Sequence, residues 1–475
     1  MIMAIFSLSR NGLSINSLFS TLDKFQTKMD PKNYISRGIR KVLLKSAMIL
    51  TQLNLFSFSN IFSKSAIHFD ASAQPYFLIA ENYLKQGKYH AAALIYKKAI
   101  SIQPTLSTVY LFGYKRAING NLNDEFYKAL LDVIETKEIR TMMELLSESP
   151  EIYQPSKFWL YFMVFNTFQI ESDGIENFKR TVNHNYFNWT ADSDITTQFN
   201  SIKNVLGWSD SDIENAEKLI NFKLSEIPIE FSPSKWKTYI QYLCMLWEYV
   251  KKNDVLKLIN NQIEPQLGNP LAIEYKGNII TQDICNSVME VNSILEDIVY
   301  NPKIQMKVME LGAGHGRIGN ILLNAYSNIQ IVLVDIPPAL YVSQWYLSNL
   351  FPQKAIFKFR KIDNYEEIRE EFEASTIDFL SPQQIEFIPQ KYFDLCINIC
   401  SLQEMTQKQI EMWFSHIDRV CKGWFYTKQY FESINPYDNI VIHQNDYPEK
   451  HNWKKIFSRP NAIFPQLFET KYKIE

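Results

Sequence analysis

The chain has 475 residues, of which 46% are hydrophobic, 14% aromatic and 21% charged, and its net charge is −2. This length is more than one compact core usually holds, so we expect two or three domains. Without an excess of Lys and Arg, nucleic acid is not expected as the main partner. The five cysteines have no zinc-ligand spacing, and their odd number fits a reducing cytoplasm, so neither a disulfide framework nor a metal site is predicted.

Residues 1–70 form a poorly patterned N-terminal segment. The stretch 41–67 is rich in Leu, Ile and Phe, but residues such as Lys45 and Asn54 interrupt it, so no transmembrane segment is predicted. We favour a helix that packs on the next domain. The alternative is an amphipathic segment that holds the protein at the inner face of the membrane.

Residues 71–145 are predicted to be all-α. The stretch 73–104 has the pattern of two helices joined at Gly87 and closed by Pro104, which resembles a tetratricopeptide repeat, and a degenerate second copy follows from Ser107. So few repeats cannot bury their own faces. We therefore interpret the region as a helical adaptor, with a protein partner held in a repeat groove as the alternative.

The helical pattern continues from 146 to 300, as a region that leads into the next domain. Ser209 and Asp212 are placed to cap one helix. The clearest helical patterns around this region are FYKALLDVIE (126–135), SDIENAEKLINFKL (211–224), WKTYIQYLCMLWEYVKK (236–252) and DICNSVMEVNSILEDIVY (283–300).

From 301 to 475, strands alternate with helices, which predicts an α/β domain with a doubly wound, Rossmann-like parallel sheet. For the third strand, TIDFL (376–380) is preferred to AIFKFR (355–360), because it lies one short connection before the next strand. The other predicted strands are VMEL (308–311), IQIVLVDI (329–336), YFDLCINIC (392–400) and WFYTKQY (424–430).

A glycine-rich turn, ELGAGHG (310–316), follows the first of these strands. Dinucleotides and S-adenosylmethionine (SAM) are the two ligand classes that such turns bind. Asp335 ends the second strand, where a carboxylate accepts hydrogen bonds from ribose hydroxyls in both classes. Glu310 separates them, because a carboxylate there would repel a pyrophosphate but attract the ammonium and sulfonium groups of SAM. The residues therefore favour SAM.

The loop after YFDLCINIC contains Glu404, which we predict to be the catalytic base. Ser401 and Glu404 match a helix capping box, which would be a purely structural role. Thr406 and Gln409 match one too, and they fit the following apolar helix face better, which leaves Glu404 in the loop. His443, after the fifth strand, is the second candidate for the base. His315, in the glycine turn, is expected to face the cofactor.

Three segments, ELGAGHGRIGNILL, VDIPPALYVSQWYLSNLFP and FDLCINICSLQEMT, together resemble the sugar O-methyltransferases encoded in bacterial surface-polysaccharide gene clusters. FKRTVNHNYFNW (178–189) is similar to the same family. The resemblance covers 230–475 well and 170–230 more loosely. It implies a class I methyltransferase fold, SAM as the cofactor and methyl donor, and a sugar hydroxyl of a surface glycan or its precursor as the acceptor.

Two other functions stay open: a protein methyltransferase that holds its substrate through the helical repeat, and a non-catalytic interaction protein on a SAM-binding scaffold. An aromatic acceptor cleft would favour a sugar, and the aromatic candidates for it are Trp345, Tyr346, Trp413, Trp424 and Tyr430. The predicted cofactor-binding residues are Glu310, Leu311, Gly312, Ala313, Gly314, Gly316, Asp335, Ile336 and Asn398.

Overall fold

The computed structural model describes residues 136–180, 195–221, 233–435 and 440–474, together with shorter stretches between 43 and 99, chiefly 43–48, 55–67 and 73–86. The chain divides into two compact units, Met1–Tyr127 and Lys128–Glu475. The predicted second repeat copy and most of 126–135 and 178–189 lie outside the described residues.

The described part of the first unit contains the helices α1 (Phe56–Ile67) and α2 (Gln74–Lys85), which pack against each other. Asn82 of α2 donates a hydrogen bond of 2.8 Å to the Ser59 hydroxyl of α1. Helix α2 coincides with the first helix of the predicted repeat, while Gly87 and Pro104 lie outside the described residues, so the repeat stays a prediction. Within the described ranges of the chain, every helix is too short or too polar to cross a membrane.

The second unit begins with helices that precede the main sheet. Ser209 and Asp212 form the predicted capping box of the fourth of them. These helices are α3 (Lys137–Ser147), α4 (Lys157–Asp173), α5 (Thr196–Leu206), α6 (Asp210–Glu217), α7 (Pro233–Asn253) and α8 (Gln282–Leu295).

Two of the predicted helices end earlier than expected. Helix α6 stops at Glu217, because the next residues form a short strand, β1 (Ile220–Asn221), which pairs with β2 (Ile273–Tyr275); β3 (Asn278–Ile280) completes this antiparallel sheet. Helix α8 stops at Leu295 because Glu296 leaves the helical conformation, with φ of −49° and ψ of 128°.

The main sheet has eight strands in the order β12-β13-β9-β8-β4-β5-β7-β6, and β13 runs antiparallel to both of its neighbours. The other neighbouring pairs are parallel, which confirms the predicted Rossmann-like arrangement. The strands are β4 (Met306–Leu311), β5 (Ile329–Val334), β6 (Ile356–Phe357), β7 (Ile377–Leu380), β8 (Phe393–Ile399), β9 (Cys421–Tyr430), β12 (Trp453–Pro460) and β13 (Leu467–Ile474).

Both candidates for the third strand are strands. The preferred TIDFL segment is β7, which pairs with β5, and the AIFKFR segment contributes the short edge strand β6. The sequence analysis did not predict the antiparallel strands β12 and β13, nor the hairpin of β10 (Glu432–Asn435) and β11 (Ile440–His443).

The helices of the sheet region follow the predicted alternation. In α12, Thr406 is the N-cap and forms a capping box with Gln409, as predicted, and the apolar face of the helix is buried against the sheet. Glu404 therefore lies outside this cap, in a single helical turn of its own. These helices are α9 (Arg317–Ala325), α10 (Ala339–Leu350), α11 (Arg369–Ala374) and α12 (Gln407–Val420).

Candidate active site

A cavity of about 350 Å³ lies at the carboxyl ends of strands β4, β5, β8 and β9. In an open parallel sheet the connections leave this edge in different directions, which creates a crevice where ligands bind. One wall is the turn after β4 together with the end of β5. The loop after β8 forms the second wall, and helices α4 and α8 form the third.

The turn after β4 keeps the cavity open because its glycines allow an unusual backbone. Gly312, Gly314 and Gly316 have φ angles of 70°, 59° and 81°, in the left-handed region that favours glycine. A Cβ atom on Gly312 would overlap the Ser401 side chain, so the turn could not lie this close to the loop after β8 with any other residue. The turn therefore presents its main chain, with few side chains, to a ligand.

Asp335 stands at the end of β5 and faces this turn. Its Oδ2 accepts a hydrogen bond from the main-chain nitrogen of Gly314 at 2.7 Å, and its Oδ1 accepts one from Ile336 at the same distance. Burial raises the pKa of Asp335 to about 7, although both hydrogen bonds lower it. Asp335 thus holds a carboxyl group at the cavity wall. Because its pKa is about 7, a bound ligand can change whether this group is ionised near neutral pH.

Glu310, the other predicted acidic residue, is buried behind the turn. No hydrogen-bond partner within the described ranges reaches its Oε2. Burial raises the pKa of Glu310 to about 8, although the nearby positive charge of Arg317 acts to lower it. A buried carboxyl oxygen without a hydrogen-bond partner is costly for the fold.

The predicted cofactor-binding residues divide into two groups. Leu311, Gly312, Gly314, Asp335 and Ile336 line the cavity, whereas Glu310, Ala313, Gly316 and Asn398 do not. Asn398 uses its amide internally: it donates to Leu311 O at 2.9 Å and to Ser401 Oγ at 2.5 Å. Its side chain therefore braces the turn against the loop after β8.

A cluster of buried charges beside the cavity was missed by the sequence analysis. Glu290 of α8 binds both Arg317, the first residue of α9, and Lys428 of β9, whose Nζ is 2.8 Å from Glu290 Oε1. All three side chains line the cavity. Gln282, Asn286 and Glu290 recur about once per helical turn along α8, and this polar stripe on a buried helix is the signal that could have indicated the cluster.

Glu404, the predicted base, lies in the loop wall of the cavity. Ser156, the N-cap of α4, donates a hydrogen bond of 2.8 Å to the main-chain oxygen of Glu404, and the side chain of Trp159 hydrogen-bonds its carboxyl group. Burial raises the pKa of Glu404 well above its usual range, although the Trp159 hydrogen bond lowers it. The group is thus held in place, and its burial favours the neutral carboxyl form.

Aromatic side chains cover the wall that α4 contributes. The ring centroids of Phe158 and Phe162 are 4.8 Å apart, and Trp159 is 6.1 and 6.3 Å from these two rings. Of the aromatic residues considered from the sequence, Trp413 and Tyr430 also line the cavity, whereas Trp345, Tyr346 and Trp424 do not.

The two histidines differ in position. His315 lines the cavity, as predicted for a residue of the glycine turn. Burial and the cations Lys179 and Arg317 lower its pKa well below the usual range, so the ring is neutral. His443 is exposed, lies 3.4 Å from Glu432 on the β10–β11 hairpin, and is not among the lining residues. Its position after the fifth strand predicted a place at the rim of the cavity, but His443 belongs to this hairpin, which the strand–helix pattern did not predict.

No family model matches the sequence, and no curated protein matches it either. The structure is similar to a magnesium protoporphyrin IX methyltransferase from Synechocystis PCC 6803 with bound SAM, at 9% identity over 40% of this chain and 78% of that one, with a TM-score of 0.29. It is similar to a protein from Pyrococcus horikoshii OT3, at 17% identity over 39% of this chain and 91% of the other (TM-score 0.27). It is also similar to a SAM-dependent methyltransferase from Aquifex aeolicus, at 10% identity over 40% of this chain and 98% of that one (TM-score 0.22).

Proposed function

We propose that this protein is a SAM-dependent O-methyltransferase that transfers a methyl group to a sugar hydroxyl of a surface glycan or its precursor. The observation that carries the proposal is the cavity itself. A glycine turn with an exposed main chain opens into it, Asp335 stands on the same wall, and Glu404 stands on the wall formed by the next loop. The resemblance of the sequence to sugar O-methyltransferases supports the same reading.

The residues present fit SAM. Glu310 has a buried oxygen without a partner among the described residues, which suits the ammonium of the methionine part. Asp335 could accept hydrogen bonds from the ribose hydroxyls in place of its present main-chain donors, as the acid at this position does in nucleotide sites. When bound, SAM supplies a methyl group that its sulfonium already activates.

The aromatic wall supports a sugar acceptor. Pyranose rings have apolar faces, which aromatic side chains such as Phe158, Trp159 and Phe162 can cover. We therefore rank a sugar above a peptide as the acceptor.

Glu404 is the proposed catalytic base. A sugar hydroxyl is a weak nucleophile until its proton leaves, and a carboxylate within hydrogen-bond reach can accept that proton. The carboxyl group of Glu404 lies on the cavity wall and is held by Trp159. Apart from accepting the proton, the chain has mainly to align the acceptor oxygen with the methyl carbon.

An acceptor panel tests the proposal. The protein would be incubated with methyl-labelled SAM and, separately, with nucleotide sugars, free oligosaccharides and an unstructured peptide, and products would be analysed by mass spectrometry. We expect a methyl group on a sugar oxygen and none on the peptide. Labelled peptide with unlabelled sugars would instead support the protein methyltransferase, and SAM binding without transfer to any acceptor would support a non-catalytic scaffold.

A further inference from the structure

The charged cluster of Glu290, Arg317 and Lys428 brings three elements together at the cavity. Glu290 is 5% exposed and Lys428 is 3% exposed, so both are nearly removed from water. Burial alone would raise the pKa of Glu290, but Arg317 and Lys428 lower it to about 2, so this carboxylate remains ionised. One carboxylate is therefore shared by two buried cations.

The two cations have different acidic neighbours besides Glu290. Asp283 and Glu310 both lie near enough to Arg317 to raise its pKa, so Arg317 has acidic groups on more than one side. Near Lys428, the carboxylate beyond Glu290 is Glu469, which already accepts a hydrogen bond from Asn461 and lies 3.7 Å from Arg459. Among the described residues, Glu290 is thus the one carboxylate in hydrogen-bond contact with the Lys428 ammonium.

Lys428 also has hydrogen-bonding capacity left over. An ammonium group has three donor hydrogens. Within the part of the chain that the structure describes, the Lys428 ammonium donates one hydrogen bond, to Glu290 Oε1, and its Nζ lies 5.5 Å from the centre of the Phe464 ring. Buried donors are nearly always paired in proteins, and this one faces a cavity that can hold a ligand.

We propose that the Lys428 ammonium is an anion subsite, which binds a carboxylate or phosphate oxygen of a molecule in this cavity. The inference rests on the proposed function and adds to it a chemical requirement on the ligands. The anion has two possible sources: the amino-acid carboxylate of SAM, or an acidic group of the acceptor, such as a uronic acid carboxylate or the diphosphate of a nucleotide sugar.

Pairs of ligands that differ in one anionic group distinguish the two possible sources of the anion. Calorimetry of the full chain would compare S-adenosylhomocysteine with 5′-methylthioadenosine, which lacks the amino-acid part. With the first ligand saturating, UDP-glucuronic acid would then be compared with UDP-glucose and UDP. The variants are Lys428→Met, Lys428→Gln in case the first does not fold, and Lys471→Met as the control. Lys471 is a buried lysine of β13 that does not line the cavity.

We expect the Lys428 variants to bind one of these anions about tenfold or more weakly, as expected for a lost charge-assisted hydrogen bond. A loss confined to S-adenosylhomocysteine assigns the subsite to the cofactor. A loss confined to UDP-glucuronic acid assigns it to the uronate, and one shared by the three UDP compounds assigns it to the diphosphate. The anion subsite, but not the proposed function, would be overturned by either of two results. One is that folded Lys428 variants bind all the ligands as tightly as the wild type does, and the other is that Lys471→Met loses as much affinity as they do. Failure of the wild type to bind S-adenosylhomocysteine would overturn the proposed function as well.

Discussion

The hydroxyl of Ser156 donates a hydrogen bond of 2.8 Å to the main-chain oxygen of Glu404, which is 248 residues farther along the chain. The same stretch is fixed at two other points: Gln409 donates to Gln154 O at 2.7 Å, and Tyr153 Oη lies 2.7 Å from His416 Nε2. These contacts join the start of α4 to the loop after β8 and the helix that follows it, so the wall of the cavity that carries the proposed base is fixed to the wall formed by α4.

Glu404→Gln should keep the fold and the affinity for SAM but lower turnover at saturating acceptor by roughly a hundredfold or more, because no carboxylate remains to accept the hydroxyl proton. Since burial raises the pKa of Glu404, wild-type turnover should rise with pH as the group ionises. Steady-state kinetics across pH would measure both effects, and the variant should lack the rise.

Thr406→Ala is the matched control for that substitution. Thr406 caps α12, so this change should lower the free energy of unfolding by about 1 kcal/mol and leave turnover near the wild-type value. If Glu404→Gln behaved in the same way, with lower stability and normal turnover, Glu404 would be a packing residue and not the base.

Substitution by Gln should change the stability of the protein in opposite directions at Glu310 and at Glu290. Burial raises the pKa of Glu310 from 4.5 to about 8, so its contribution to stability is present below pH 4.5 and is lost as the pH rises to 8. Glu310→Gln should therefore stabilise the ligand-free protein near pH 8 while weakening SAM binding.

Glu290→Gln should instead destabilise the protein by about 3–5 kcal/mol, because Arg317 and Lys428 would be buried without their carboxylate. The pKa of Glu290 is lowered to about 2, so its contribution is present above pH 4.5 and is lost as the pH falls towards 2. Chemical denaturation of the two variants at several pH values would measure this. Destabilisation by both variants at pH 8 would contradict the account of Glu310.

Binding of S-adenosylhomocysteine should become tighter as the pH rises from 6 to 8. The ligand ammonium and ribose hydroxyls favour the ionised forms of Glu310 and Asp335, whose pKa values are about 8 and about 7. In the pH range where binding requires one proton to leave one of these acids, the dissociation constant should fall by up to about tenfold per pH unit. Calorimetry in buffers of different ionisation enthalpy would count the released protons. A constant affinity over this range would contradict the roles of both acids.

The unit Lys128–Glu475 should bind S-adenosylhomocysteine without residues 1–127. All residues that line the cavity belong to this unit, which has its own core around the sheet. The fragment should keep α3, because this helix packs against α10. Calorimetry of the purified fragment would test this, and a folded, soluble fragment with no affinity for the ligand would show that the units depend on each other.

The sheet and the glycine turn could be predicted because their signals are local. Each buried strand is a short apolar run, and Gly312 with its neighbours forms a contiguous motif between a strand and a helix. The strands β12 and β13 were missed because they form an antiparallel pair with no helix between them, and so do not follow the strand–helix alternation on which the prediction relied.

The walls of the cavity could be predicted only in part. Glu290 and Lys428 are 138 residues apart, and Ser156 and Glu404 are 248 apart, so neither pair leaves a local pattern. Trp159 lies on a strongly apolar helix, which by its composition indicates only burial. Such contacts depend on how α4 and α8 pack against the sheet, which the sequence periodicity does not determine.

Titration of the wild type and of Asp335→Ala with S-adenosylhomocysteine and with NAD is the most direct test of the SAM site. We expect the wild type to bind one equivalent of S-adenosylhomocysteine and no NAD, and Asp335→Ala to bind the former with a loss of about 1.5–3 kcal/mol, as expected for a lost charge-assisted hydrogen bond. Binding of NAD in preference to S-adenosylhomocysteine, or no binding of either by the folded wild-type protein, would contradict the account.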